Sequence, residues 1–181
     1  FIDECVKILE DDYCLLCVDT LDGDDAFDNS ADQSRQQLSS TPLGKIASYY
    51  YLSHSTVRIF QDALGTVEAD YKSHQLPYLT LSDVLNLLTQ ATEYATLPVR
   101  HNEELLNEEL SKSCPISMQR RSMESPHTKA NLLIQAHCSR LPLPIIDYYT
   151  DLKTVLDQAI RVMQAMIDIA ALNGSLPTTL N

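Results

Sequence analysis

Three groups of residues in this chain are of types that do chemistry: a cysteine pair, five histidines and a cluster of carboxylates. Cys14 and Cys17 spell C-x-x-C, the spacing of half a thiolate metal site. The segment that carries them, Tyr13 to Val18 (YCLLCV), reads as a strand, where a separation of three sends two side chains to opposite faces. No second Cys or His pair stands ready to complete a site, so both read as buried thiols. His127 and His137 lie ten apart on one helical segment, too far along it to share a ligand, and His54, His74 and His101 fall near caps and loops. Glu103, Glu104, Glu108 and Glu109 are spaced as the wet face of a helix rather than as an acid/base pair. The acidic stretch from Asp19 fails the EF-hand pattern, because Val18 stands five before Gly23. Gly23, Gly44, Gly65 and Gly174 cannot build a phosphate-cradling G-x-x-x-x-G-K-[ST], and neither G-x-S-x-G nor H-E-x-x-H occurs. The expectation is a fragment with catalytic residues none, metal ligands none and no cofactor of its own.

Charge and composition narrow the class further. Residues 1–40 hold 11 of the 25 acidic groups against two basic ones, Lys7 and Arg35, so most of the net charge of −12 sits in that lobe. The remaining 141 residues stand near −3, with no basic stripe of the kind a stand-alone nucleic-acid binder carries. Five scattered cysteines, an odd number in apolar surroundings, suit a reducing compartment, with nucleus and cytosol as the expected localisation. In such a compartment the acceptor pattern Asn173-Gly174-Ser175 would not be glycosylated. No signal-like start and no apolar run of membrane-spanning length is present, which implies no membrane partner. Phe1 opens the chain inside an apolar-periodic segment without an initiator Met, as a piece of a longer protein would.

The elements that position these residues read as helices. Asp151 to Asn173 is the longest, with Leu152, Val155, Leu156, Ala159, Ile160, Met163, Met166, Ile167 and Ala170 forming its expected buried stripe. Thr150 or Asp151 is its expected cap, and Gly174 with Pro177 its stop. Such a rod needs shorter helices around it, and the rest of the chain supplies them. Phe1 to Glu10 reads as the tail of a helix, followed by the short strand and by a surface loop from Asp19 to Ser40. Thr41-Pro42 opens a helix that stops near Ser53, which caps the next, ended by Gly65. Tyr49, Tyr50 and Tyr51 cannot share one face, so at least one is expected at the surface or hydrogen-bonded at a junction. Thr80 with Asp83 sets a capping box for a helix through Tyr94 buried by Leu81, Val84, Leu85, Leu88 and Ala91. Asn102 caps a helix carrying Leu105, Leu106 and Leu110, a loop follows from Ser111 to Glu124, and Ser125-Pro126 starts a helix burying Leu132, Leu133, Ala136 and Leu141. The fold class is mainly α: a helical bundle around one long C-terminal helix, preceded by a helix–strand pair that reads as the end of a winged-helix domain.

Three segments, TPLGKIASYYYLSHSTVRIF at 41–60, EYATLPVRHNEELLNEEL at 93–110, and SPHTKANLLIQAHCSRL with the long helix at 125–174, together resemble the Sec-sixty-three domain of Ski-two-like superfamily-two helicases. The resemblance covers nearly all of 41–174. It implies that residues 1–40 are the end of a winged-helix domain plus an acidic loop, and that 41–181 are the N-terminal part of a truncated helical domain. It further implies that the longest helix is a ratchet facing a single strand drawn 3′ to 5′ by ATPase domains elsewhere in the parent chain, which would hold the ATP and magnesium. On that helix Arg161, flanked by Gln164, Gln158 and Thr154, is placed to contact a sugar-phosphate backbone. Arg161 is equally placed to pair with Asp157 or Asp168, and the sequence leaves both open. The implied partners are single-stranded nucleic acid through the parent helicase, the motor and winged-helix domains of the same chain, and other subunits of a cointegrator or repair complex. A protein-interaction scaffold within such a complex is the alternative. One departure stands out: relatives usually place Trp after the terminal Asn-x-Gly, where this chain has Ser175.

Overall fold

The computed structural model describes residues 1–19, 36–72, 79–118 and 122–173, without the side chains of Asp19, Gln36 and 66–72. Residues 20–35 of the expected acidic loop, His74 and the expected stop at Gly174 and Pro177 lie outside the described residues. Within them the fold is mainly α, with one two-stranded sheet.

The chain begins with α1 (Ile2–Asp11) and a hairpin of β1 (Leu15–Asp19) and β2 (Gln36–Ser40), antiparallel in the register Leu15↔Ser40 to Asp19↔Gln36. The second strand replaces the end of the loop expected to reach Ser40. Its sequence, QQLSS, offers one large apolar side chain, so pairing with β1 rather than its own pattern makes it a strand.

The helical body starts where expected. Thr41 caps α2 (Pro42–Tyr49) by accepting from Gly44 N at 2.9 Å, and Pro42 occupies the first turn, where a missing N–H leaves nothing unpaired. The same threonine fastens this body to the hairpin: its hydroxyl donates to Tyr13 O at 2.5 Å and its amide to Cys14 O at 3.2 Å. Gly44 permits the approach, since a Cβ there would stand 2.1 Å from Cys14 O. Beside this seam Asp12, 5% exposed, accepts from His54 Nδ1 and from Arg58 Nη1 at 3.0 Å.

Helix α3 (His54–Lys72) runs straight through Gly65, where a helix end was expected; with no stop signal after it, the glycine is simply absorbed. Helix α4 (Leu81–Leu88) has the expected capping box of Thr80 and Asp83, and it ends sooner than expected, giving way to a 3-10 turn at Thr92–Tyr94. Leu87, Leu88 and Ala91 are buried there, while Leu81 is exposed. Asn102 precedes α5 (Glu103–Ser113) in the left-handed region (φ 69) and makes no capping hydrogen bond; Glu103 instead reaches back to the amide of Arg100 at 2.9 Å. Helix α5 thus takes in the first residues of the expected Ser111–Glu124 loop.

Helix α6 (Pro126–Cys138) is the enclosed element, with all nine residues from Thr128 to Ala136 buried. Leu132, Leu133 and Ala136 are among them as expected, and Leu141 is half-buried. Its polar side chains are satisfied internally: Asn131 donates to Asn86 Oδ1 and Thr89 Oγ1, both at 3.1 Å, Gln135 donates to Asn131 at 2.8 Å, and Gln135 accepts from Ile116 N at 2.9 Å. Helix α7 (Ile146–Leu172) is the longest and packs against α6, α3, α2 and α4. It begins five residues before the expected Asp151, so neither Thr150 nor Asp151 caps it. Its buried side is carried by Tyr148, Val155, Ala159, Val162, Ala165, Met166, Ile169 and Ala170. Ile160, Met163 and Ile167, expected in the core, are 65%, 40% and 46% exposed. A helix apolar around more than half its circumference does not specify which part turns inward. Among the described residues no helix is long and apolar enough to cross a membrane.

Candidate nucleic-acid interface

Helix α7 is held by a buried ionic cluster. Lys129 on α6, with no exposed surface, directs its ammonium to Pro98 O at 2.7 Å, Glu103 Oε2 at 2.6 Å and Asp151 Oδ2 at 2.7 Å, so each of its three protons meets an acceptor. The ammonium also lies 4.8 Å from the centre of the Tyr148 ring. Arg100 closes the cluster from outside, donating to Glu103 Oε1 at 2.9 Å and to Asp151 Oδ2 at 2.7 Å and Oδ1 at 3.3 Å, with Asp147 3.5 Å from its Nε. Burial alone would raise the carboxyl of Glu103, but hydrogen bonds from Lys129 and Arg100 outweigh it and hold the group below its ordinary range. Asp151 is lowered in the same way, burial being outweighed by Arg100 and then Lys129. Beside the cluster Tyr148 donates to Asn107 Oδ1 at 2.7 Å, and Asn107 donates to Met123 O at 2.8 Å. Glu103 therefore leaves the wet face on which the sequence placed it, while Glu104, Glu108 and Glu109 stay there. A buried lysine is missed by any reading that assigns charge to the surface. The available signal was that Arg100, Glu103 and Lys129 lie inside LPVRHNE and HTKANLLIQAH, the strings that carry the resemblance.

With one face locked, α7 turns its polar residues toward α2 and solvent. Thr154 and Gln164 are exposed and Gln158 and Arg161 half-buried. Arg161 pairs with neither Asp157 nor Asp168. Its Nη1 donates to Tyr50 O at 3.2 Å and Tyr51 O at 2.9 Å, and its Nη2 to Gln158 Oε1. Asp168 is engaged elsewhere, accepting from the Tyr50 hydroxyl at 2.8 Å, and this hydrogen bond raises the phenol. Thr154 returns its hydroxyl to Thr150 O at 3.2 Å. Tyr50 thus bridges α2 and α7, while Tyr49 and Tyr51 are 76% and 83% exposed, as the impossibility of a shared face required. The structure brings Arg161 and Gln158 together and sets Thr154 and Gln164 on the same side of the helix without joining them to that pair.

The remaining chemistry-bearing residues are dispersed. Cys14 is buried, its thiol raised by burial and by nearby Asp12. It precedes β1, while Cys17 lies within that strand. His127 contacts Thr89 O at 2.8 Å. Among the described residues no group of His, Cys, Asp and Glu is arranged to hold a metal ion.

Comparison with known proteins adds a second line. The family model described as the Sec63 Brl domain matches residues 40–181. Activating signal cointegrator 1 complex subunit 3 of Rattus norvegicus is 50% identical over 149 residues, 82% of this chain and 6% of that protein. DExH-box ATP-dependent RNA helicase DExH14 of Arabidopsis thaliana is 49% identical over 140 residues, 77% of this chain and 6% of that protein. RQC trigger complex helicase SLH1 of Saccharomyces cerevisiae is 37% identical over 186 residues, 99% of this chain and 8% of that protein. The chain thus spans less than a tenth of the length of these relatives.

Proposed function

This chain belongs to the Sec63 Brl domain family, and on that footing we propose that it is a non-catalytic helical accessory domain of an ATP-dependent 3′–5′ nucleic-acid helicase. It guides the translocated single strand and braces the motor, which sits elsewhere in the parent protein with its ATP and magnesium. Residues 1–40 belong to the end of a winged-helix domain, and the parent works in nucleus and cytosol beside other subunits of its complex. The observation that carries this reading is α7 itself: a long helix fixed near its start by the Lys129 cluster, with Arg161, Gln158, Gln164 and Thr154 along the flank it leaves half-buried or exposed. Arg161 spends three hydrogens on Tyr50, Tyr51 and Gln158, which leaves its Nε–H and one Nη2 hydrogen for an incoming phosphate. Its family relatives named as helicases agree with the assignment.

The test is Arg161→Glu and, separately, Gln164→Glu in the parent helicase. The Gln164 side chain is exposed and makes no hydrogen bond among the described residues, so its substitution leaves the fold alone. Each is expected to lower single-strand affinity, Arg161→Glu by about tenfold, the worth of a charge-assisted contact, and to slow unwinding. Unchanged affinity and rate in both variants would sink the reading. A second reading, a protein-interaction scaffold, is favoured by the exposed apolar stripe of Ile160, Met163 and Ile167. Capture experiments separate the two: a scaffold retains protein partners in high salt, whereas strand contacts weaken as salt rises.

A further inference from the structure

Three helices end on the same turn, with the amide two residues past the last helical carbonyls folding back. Cys14 N bonds Leu9 O at 2.8 Å, Leu52 N bonds Ala47 O at 2.9 Å, and Leu141 N bonds Ala136 O at 2.8 Å. The left-handed residue of such a turn is ordinarily glycine, yet here it is Tyr13 (φ 61), Tyr51 (φ 52) and Arg140 (φ 55). Tyr51 stands apart among them. Its side chain is 83% exposed, its hydroxyl has no hydrogen bond among the described residues, and its carbonyl receives Arg161 Nη1 at 2.9 Å. Tyr51 also lines a cleft of about 550 Å³ between the hairpin and α2, together with Leu9, Leu15, Leu52, Ser40, Ser53 and His54. No lining residue itself carries a carboxylate, and the two carboxylates that reach them, Asp12 and Glu93, are already bound to His54 Nδ1 and Ser53 N. A strained backbone that presents an aromatic ring to solvent, with a guanidinium on its own carbonyl and a largely apolar cleft alongside, suits a flat ring attached to a phosphate.

We propose that Tyr51 is a stacking platform for one base of a single-stranded nucleic acid, the base seated over this cleft and the adjoining sugar-phosphate running onto Arg161. This rests on the strand-contact reading above and names the residue that receives the base. Stacking on a single ring is indifferent to base identity, which fits a module past which every sequence must move. The serines that line the cleft would meet base edges without a fixed pattern.

The experiment uses the full chain and a single-stranded oligouridylate carrying one 2-aminopurine, whose fluorescence is quenched by stacking. Tyr51→Gly removes the ring and relieves the left-handed backbone, so its melting temperature is expected to equal or exceed that of the wild type. Loss of the quench in Tyr51→Gly, with affinity lowered about tenfold and restored in Tyr51→Trp, supports the proposal. A quench that persists in Tyr51→Gly, or that is lost equally in Tyr51→Trp, overturns it while leaving the Arg161 contact standing, provided Arg161→Glu still weakens binding. Absence of binding by the wild type, or binding indifferent to Arg161→Glu, overturns the strand-contact reading together with this one.

Discussion

Replacing Lys129 by Met is the sharpest test of the cluster that holds α7. Met fills much of the same volume but donates nothing, so Pro98 O, Glu103 Oε2 and Asp151 Oδ2 lose partners now at 2.6 to 2.7 Å. Removing one partner of a buried ion pair costs about 3 to 5 kcal/mol, since the opposite charge is left in a medium that solvates it poorly. Arg100 stays on both carboxylates, so the expected loss at pH 7 lies near the lower end, about 3 kcal/mol. For a chain of this size that lowers the melting temperature by roughly 6 to 12 °C. The pH dependence makes the test specific. In the wild type both folded carboxyls are lowered, so the stability they contribute is present above their unfolded values near ~4 and is lost as pH falls through the folded ones. In the variant the Lys129 contribution is gone and burial weighs more, so both groups take up protons at higher pH than in the wild type and the deficit shrinks as pH falls from about 7 toward the unfolded values. Urea denaturation followed by far-ultraviolet circular dichroism across that range measures it. A deficit under about 1 kcal/mol at pH 7, or one that does not change with pH, would refute the account of Lys129 as the charge that balances Glu103 and Asp151.

Three further predictions concern single sites. Gly44→Ala and Gly65→Ala have opposite signs: the first forces a Cβ to within 2.1 Å of Cys14 O and is expected to cost about 3 kcal/mol, the upper part of the overpacking range. The second meets only Gln61 Nε2 at 3.8 Å inside α3 and is expected to stabilise by about 0.5 to 1 kcal/mol; paired thermal melts decide both. Asp12→Asn is expected to cost about 1.5 to 3 kcal/mol at pH 7, through weakened bonds to His54 and Arg58. Burial would raise Asp12, but those two partners lower it overall, so its contribution is present above the unfolded value and disappears as pH falls through the folded one. The two urea midpoints should therefore converge in acid, and a constant gap would argue against the ion pairs.

How far the sequence spoke for the structure depends on whether the deciding interaction was local. The cap at Thr41, the capping box at Thr80 and the start of α6 at Pro126 were legible because each is settled within four residues. Strand β2 was not, since QQLSS becomes a strand only through β1. Asp151, like Thr150, reads as a cap because its side-chain oxygen can accept from a helix's first amides, whereas its role is fixed by Lys129 and Arg100, distant in sequence. The candidate contact residues on α7 were found by resemblance and helical spacing. What Arg161 does meanwhile was not legible, because its acceptors are the backbone carbonyls of Tyr50 and Tyr51, which no residue type announces.

The enclosure of α6 also orders events during synthesis. The elements around it come from both sides in the chain: the 3-10 turn, α4 and α5 before it, α7 after it. Until the ribosome has released α6, those earlier segments have no common surface to close upon, and the apolar sides of α3 and α4 wait open. Helix α7 then follows and covers α2 and α3 as well. These elements therefore close only once α6 and α7 are both available, and without them the apolar sides of α3 and α4 stay exposed.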